Sequence, residues 1–309
     1  MGDINVNDKY IDKHVAMYCG DTTEIIKGYG DESVDMEIYS PPFNNLYCYS
    51  NSDRDLGNCR SDDEFFTHFD FIIKELYRIL KSGRIMAVHC MNTPAFKEKD
   101  GYIGIKDFRG DLIRAFQKVG FIYHSEVCIW KDPVTAMQRT KAIGLLHKQL
   151  KKDSCLSRMG IPDYVVFMRK PGENRIRVEH TNETFPVSEW QQYASPIWDE
   201  YNSPVWWDIN QSDTLNARAP KDDESERHIC PLQLPVIERC IRMYSNEGEI
   251  IFTPFMGIGS EVYQAVKMGR KGIGIELKQS YFDCAVQNIK NLEAEMEQPT
   301  LFDFIPEAK

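Results

Sequence analysis

Five consecutive residues, Tyr39-Ser40-Pro41-Pro42-Phe43, put a hydroxyl, two rigid imino acids and an aromatic ring into one short stretch. They follow an alternating run at 34–38, in which Val34, Met36 and Ile38 are expected on one face of a strand. Neither proline has an N–H to give to a sheet ladder, so the strand must stop here and the backbone stiffens. A rigid corner at a strand end aims carbonyl oxygens and one ring at a fixed point. An amino group presented to it meets acceptors rather than donors, and a flat ring can lie on Phe43. Holding a nucleobase by its exocyclic NH2 is the chemistry this corner suits. A Pro-rich turn with Phe43 in the core is the plainer alternative.

A second stretch, at 250–260, reads Ile-Ile-Phe-Thr-Pro-Phe-Met-Gly-Ile-Gly-Ser: an apolar strand, a glycine turn and a helix start. Gly257 and Gly259 let the backbone approach a ligand closely. Glu276 closes the next apolar run, Gly272-Ile273-Gly274-Ile275-Glu276. It falls about twenty residues on, where an acid at a strand end accepts ribose hydroxyls. That geometry also fits a dinucleotide, but the dinucleotide fingerprint wants a third glycine where this chain has Val262.

Together the two stretches resemble the DNA amino-methyltransferases, whose catalytic tetrapeptide is D/S/N-P-P-Y/F and whose cofactor motif is D-P-F-x-G-x-G. Here the catalytic motif comes first, which resembles the permuted β-class order. The resemblance implies an α/β fold: a Rossmann-like methyltransferase sheet with helices on both faces, plus a smaller inserted target-recognition region. It implies a site-specific enzyme that transfers a methyl group from S-adenosylmethionine to cytosine N4 or adenine N6 of a flipped base in double-stranded DNA. Ser40, Pro41, Pro42 and Phe43 would be catalytic, with Ser40 Oγ and the Pro41 carbonyl accepting the two amino hydrogens. Asp21, His228, Pro231, Thr253, Phe255, Gly257, Gly259, Ser260 and Glu276 would hold the cofactor. Asp21 can equally cap a helix at 22–27. Thr253 stands where the family usually has Asp, so that contact loses its charge. Ser rather than Asp at position 40 resembles the cytosine-N4 members more than the adenine-N6 ones. Neither a metal nor a cysteine nucleophile is required. A non-catalytic DNA-binding homologue, or an amino-methyltransferase acting on RNA or protein, are the rival readings.

The 309 residues leave room for one large α/β domain and a smaller lobe. Nine cysteines without metal-like spacing, no secretory signal and no long apolar run point to a reduced, cytoplasmic protein. The net charge of −10 is awkward for phosphate contact, so a local basic segment is needed. Residues 139–158 supply one: Arg139, Lys141, Lys148, Lys151, Lys152 and Arg158 against Asp153. Neutralising phosphates is its expected role, a solvated helix face the alternative.

These residues need a scaffold. A strand is expected at 15–19 and another at 34–39, then a polar stretch at 44–60 that closes over the base or is a plain loop. Ser61-x-x-Glu64 is a capping box opening a helix with Phe65, Phe69, Ile72, Ile73, Leu76 and Leu80 on one face, stopped by Ser82-Gly83. A strand at 85–88 follows, with His89 and Cys90 at its end, where ligands approach; a satisfied polar pair is expected there rather than a catalytic role. A helix runs to Gly120, and strands at 122–130 and 164–168 pair. Residues 171–226 hold Trp190, Trp198, Trp206 and Trp207 without clean periodicity. Helices at 234–244 and 260–268, a strand at 272–277 and a helix from Ser280 complete the pattern. The domains are expected as a catalytic half at 1–130, a basic insertion, closing strand and target-recognition region at 131–227, a cofactor half at 228–297 and a tail at 298–309. Gln191, Gln192 and Asn216 have side chains suited to base edges. In the tail, Gln298-Pro299-Thr300-Leu301-Phe302 resembles the Q-x-x-L-F peptide that docks on sliding clamps, or else packs back on the body.

Overall fold

The computed structural model describes residues 6–43, 55–59, 61–132, 151–153, 155, 160–194, 205–215 and 231–297. In chain order the elements are β1 (Asp8–Ile11), β2 (Val15–Cys19), α1 (Thr22–Ile25), β3 (Met36–Tyr39), α2 (Asp62–Ile79), β4 (Ile85–Met91), β5 (Thr93–Ala95), α3 (Lys97–Asp100), β6 (Gly104–Lys106) and α4 (Phe108–Val119). There follow β7 (Ile122–Ile129), β8 (Asp163–Arg169), α5 (Val187–Ala194), β9 (Val205–Trp206), α6 (Leu234–Tyr244), β10 (Ile250–Thr253), α7 (Ser260–Lys267), β11 (Lys271–Glu276) and α8 (Gln279–Met296).

Among the described residues, nine strands form one sheet in the order β1-β2-β11-β10-β3-β4-β8-β7-β9, and β5 and β6 make a separate hairpin. From β2 to β4 all neighbours are parallel, while β8 runs antiparallel to both β4 and β7. The chain leaves β10 through α7 to reach β11 on one side, and leaves β3 through α2 to reach β4 on the other. The boundary between β10 and β3 is therefore where the strand order reverses. In open α/β sheets ligands sit outside the carboxyl ends of the strands at such a point.

The sequence builds this scaffold by local rules. Ser61 Oγ accepts from the Glu64 N–H at 3.1 Å, and Asp62, Asp63 and Glu64 occupy the positive first turn of α2. Phe65, Phe69, Ile72, Ile73 and Leu76 then fall on its buried stripe. They pack with Tyr39, Phe252 and Ile275 on one face of the sheet. On the other face Met36, Ile38 and Ile251 meet Val236, Ile237 and Ile241 of α6. Each fully buried side chain of this size stabilises by roughly 1.5–3 kcal/mol. Gly120, at φ +119, stops α4 in a left-handed cap that a side chain would strain.

Three expectations are corrected. Val34 lies outside β3, in an isolated bridge to Leu80, and packs with the α2 cluster rather than with Met36 and Ile38. The α2 helix ends at Ile79, with Leu80 already extended, before Ser82-Gly83. Strand β4 runs to Met91, because β8 pairs along its whole length from Ile85↔Arg169 to Met91↔Asp163. His89 and Cys90 thus lie within the strand, on opposite faces, and do not form a pair. Short elements carried no readable period: β1, the β5–β6 hairpin, α5 and β9, which adds to β7 in parallel. Among the described residues no helix is long and apolar enough to cross a membrane.

Candidate active site

A cleft of about 940 Å³ opens at the strand ends around the β10/β3 boundary. Ser40, Pro41, Pro42 and Phe43 line one part of it, and Phe255, Gly257, Ser260, Glu261 and Glu276 another. The two strand ends touch: the Tyr39 and Phe255 rings meet edge to face at 5.9 Å between centroids. Asp21 and Pro231 also line the cleft.

The glycine turn has a reason for each glycine. Gly257 has φ +55, and a Cβ placed on it would meet nothing within 4 Å, so the backbone is bare where the cleft begins. Its N–H donates to Glu276 Oε2 at 2.7 Å. Gly259, at φ +89, precedes α7, and a Cβ there would lie 3.0 Å from the Ala285 Cβ. Val262, at the position of the absent third glycine, is accommodated from the opposite strand: a Cβ on Gly272 would come within 2.7 Å of its Cγ1.

Glu276 is partly buried, and its other oxygen accepts from the Lys278 N–H at 2.9 Å. Burial pushes its carboxyl up to about 7, against the pull of these backbone N–H groups. Glu261, in the first turn of α7 and 5% exposed, is pushed up to about 8 by burial. Asp21 caps α1, its Oδ1 accepting from the Thr23 N–H at 2.9 Å, while its residue still faces the cleft. Thr22 Oγ1 donates to the Pro254 carbonyl at 2.6 Å and ties that cap to the end of β10.

Ser40 is held from behind. Its Oγ lies 3.1 Å from His89 Nδ1, and His89 Nε2 lies 3.0 Å from Asp163 Oδ2. Lys131 forms an ion pair with the same carboxylate. Phe43 is 8% exposed, edge to face with His89 at 6.4 Å and tilted against Phe108 at 6.2 Å.

Of the sequence-derived cofactor residues, Asp21, Pro231, Phe255, Gly257, Ser260 and Glu276 come together on the cleft wall with the four residues of the Ser-Pro-Pro-Phe corner. Thr253 and Gly259 do not line it; Thr253 is 1% exposed, and its Oγ1 has no hydrogen-bond partner among the described residues. His228 lies outside the described residues, as do Arg139, Lys141, Lys148, Arg158, Asn216 and the tail. Lys151, Lys152 and Gln191 are exposed. Of the stretch at 44–60, the part at 55–59 is described, with a short turn Leu56–Asn58 whose Leu56 and Asn58 line the cleft. Among the described residues no cluster of His, Cys, Asp and Glu could hold a metal ion. Asp163 and Lys131 escaped the sequence reading, because β8 brings an acid 74 positions away to the His89 ring.

Glu261 carries a stability cost that can be measured. Its carboxyl ordinarily titrates near 4.5 and is raised to about 8 in the fold. The folded state then holds more protons between those values, so its stability declines as pH rises from about 5 to 8. In Glu261→Gln this component vanishes. The variant's Tm should be flatter with pH, and its stability at pH 8 higher than the wild type's by on the order of a few kcal/mol. Thermal melts without ligand across that range check this; parallel curves would contradict it.

Comparison with known proteins accords with this geometry. The N6/N4 DNA methylase family matches residues 34–287. The type II methyltransferase M.ScaI of Streptomyces caespitosus is 40% identical over 294 residues, covering 93% of this chain and 84% of that one. Among solved structures, the DNA modification methylase TTHA0409 of Thermus thermophilus, in complex with S-adenosyl-L-methionine, aligns with a TM-score of 0.63 at 19% identity, over 90% of this chain and 95% of that one. PvuII DNA methyltransferase, cytosine-N4-specific, aligns with a TM-score of 0.61 at 16% identity, over 94% of each. The match across the span from β3 to α8, together with the M.ScaI identity, places this chain in the N6/N4 DNA methylase family, as a DNA methyltransferase.

Proposed function

We propose that the enzyme methylates the N4 amino group of cytosine in double-stranded DNA, at a base turned out of the helix, with S-adenosylmethionine as donor. The observation that carries this is the single cleft shared by the Ser-Pro-Pro-Phe corner and the glycine turn. The bare backbone at Gly257 and the Glu276 carboxylate fit an adenosyl ligand: one admits it closely, the other accepts its ribose hydroxyls. Bound there, S-adenosylmethionine supplies a methyl group activated on a sulfonium.

The protein's part is to make an amine nucleophilic. Its lone pair is delocalised into the ring, and a paired base is out of reach, so the base must leave the stack. Phe43 offers a face that replaces lost stacking, by roughly 1–3 kcal/mol. Ser40 Oγ and the Pro41 carbonyl accept the two amino hydrogens and hold the nitrogen with its lone pair free. No covalent link to the enzyme is needed; positioning and aimed acceptors lower the barrier. Ser40 rather than Asp favours cytosine N4. The exposed Lys151 and Lys152, with Arg139, Lys141, Lys148 and Arg158, neutralise phosphates. The Gln298–Phe302 segment docks on a sliding clamp.

Nucleoside mass spectrometry of DNA from expressing cells tests the reading: N4-methylcytosine is expected, and neither amino-methylated base with folded protein would reject it. Gly257→Ala tests the cofactor contact. Strain at φ +55 should cost the fold about 1 kcal/mol. A methyl group on the bare backbone should weaken S-adenosylmethionine binding by calorimetry at least tenfold, or about 1.4 kcal/mol. Unchanged affinity would put the ligand elsewhere.

A further inference from the structure

We propose that His89, fixed by Asp163 and Lys131, is the positioning residue that makes Ser40 a hydrogen-bond acceptor and takes up the proton released on methyl transfer. The proposal rests on the amino-transfer reading above.

Strands β4 and β8 set the geometry. Val165 stands opposite His89, and Asp163, two residues before it, shares the Val165 face and meets the imidazole diagonally. Lys131 reaches the same carboxylate from just past the end of β7. Asp163 is 1% exposed. Burial works to raise its carboxyl, and Lys131 and then His89 outweigh it, so it lies below its ordinary value. Arg109 and Glu126 pair with each other on the opposite face, where Arg109 covers the Tyr164 ring. Among the described residues, the charges bonded around His89 are thus Asp163 and, through it, Lys131.

An ionised carboxylate can only accept, so Asp163 places the imidazole proton on Nε2. Nδ1 then carries a lone pair, at 3.1 Å from Ser40 Oγ. Ser40 must donate its single proton to Nδ1, and its oxygen is left free to accept from the substrate amine. A hydroxyl without such a partner has no fixed direction and can present its proton to the amine, the wrong polarity.

The same line disposes of the proton. The new nitrogen–carbon bond forms as the donor's sulfur–carbon bond breaks, its electron pair staying on sulfur. The nitrogen now has one proton too many. That proton moves to Ser40 Oγ as the serine's own moves to His89 Nδ1, leaving an imidazolium beside Asp163. A Ser in place of an Asp at position 40 is a weak base, and His89 supplies the basicity it lacks.

Two measurements test this together. In ligand-free protein, 15N spectra of the His89 ring should show the Nε2–H tautomer at neutral pH. His89→Gln should lower kcat by about 10²-fold or more. It should keep S-adenosylmethionine affinity within about twofold and lose the acid limb of the kcat–pH profile. An Nδ1–H tautomer in the wild type, or His89→Gln with kcat and pH profile within twofold of it, would overturn the proposal. If His89→Gln does not fold, the wild-type tautomer and the kcat of Asp163→Asn decide. A wild type that methylates no amino group removes the amino-transfer reading and this relay with it; an active wild type with an indifferent His89 removes the relay alone.

Discussion

Ser40→Ala is expected to lower methyl transfer by about 10²–10³-fold while leaving S-adenosylmethionine affinity within about twofold. Ser40 lies at the carboxyl end of β3, bonded to His89 and not to the glycine turn, so its loss should leave the cofactor wall in place. On the proposed mechanism the missing group is the acceptor that pulls an amino hydrogen out of conjugation, a contact that matters most as the nitrogen begins to bond. The effect belongs in kcat, with little change in KM for DNA. Single-turnover transfer alongside calorimetric cofactor binding separates the two. A variant that transfers at the wild-type rate would remove Ser40 from the chemistry.

The second large effect belongs to the other wall. Glu276→Ala should weaken S-adenosylmethionine binding by roughly 10²-fold, since a charged hydrogen bond is worth about 1.5–3 kcal/mol and the Gly257 N–H loses its partner as well. Because burial brings the Glu276 carboxyl up to about 7, the wild type should bind more weakly as pH falls below that value. The limit is about tenfold per pH unit, as the accepting carboxylate is lost to its proton. Glu276→Gln, which has no proton to take up, should show little pH dependence between 5 and 8. Calorimetry at several pH values checks both; wild-type affinity that does not change from pH 8 to 5.5 would contradict the role.

Much of this site was legible because strand ends announce themselves in sequence. The apolar runs at 15–19 and 250–253 stop before Gly20 and Pro254, and the strand expected at 272–277 ends one residue sooner, at Glu276. The capping box at Ser61, the apolar stripe of α2 and the left-handed Gly120 follow from local physics, and each stands where its residues put it. The stretches expected as strands at 122–130 and 164–168 do pair, antiparallel, over 122–129 and 163–169, although the start of β7 stays exposed. What local physics hides is lateral. His89 reads as a polar residue at the end of an apolar run. Only the antiparallel register of β4 with β8 shows that the strand continues, that Cys90 turns to the opposite face, and that Asp163 waits beside the imidazole. Val34 misled for the same reason, since its alternation with Met36 continues past the true start of β3. Thr253, expected at the cofactor, is instead sealed behind the cleft wall, a placement that nothing in its own sequence neighbourhood announces.

In the proposed reaction one cleft brings a methyl donor to an exocyclic amine gripped at Ser40-Pro41-Pro42-Phe43. Its most direct test is transfer from S-adenosylmethionine with a deuterated methyl group to duplex DNA by purified protein, read by mass spectrometry of the nucleosides. The label is expected on the N4 nitrogen of cytosine, and should disappear in Pro42→Ala protein that still binds the donor. Label on a ring carbon, or equal transfer by that variant, would contradict it.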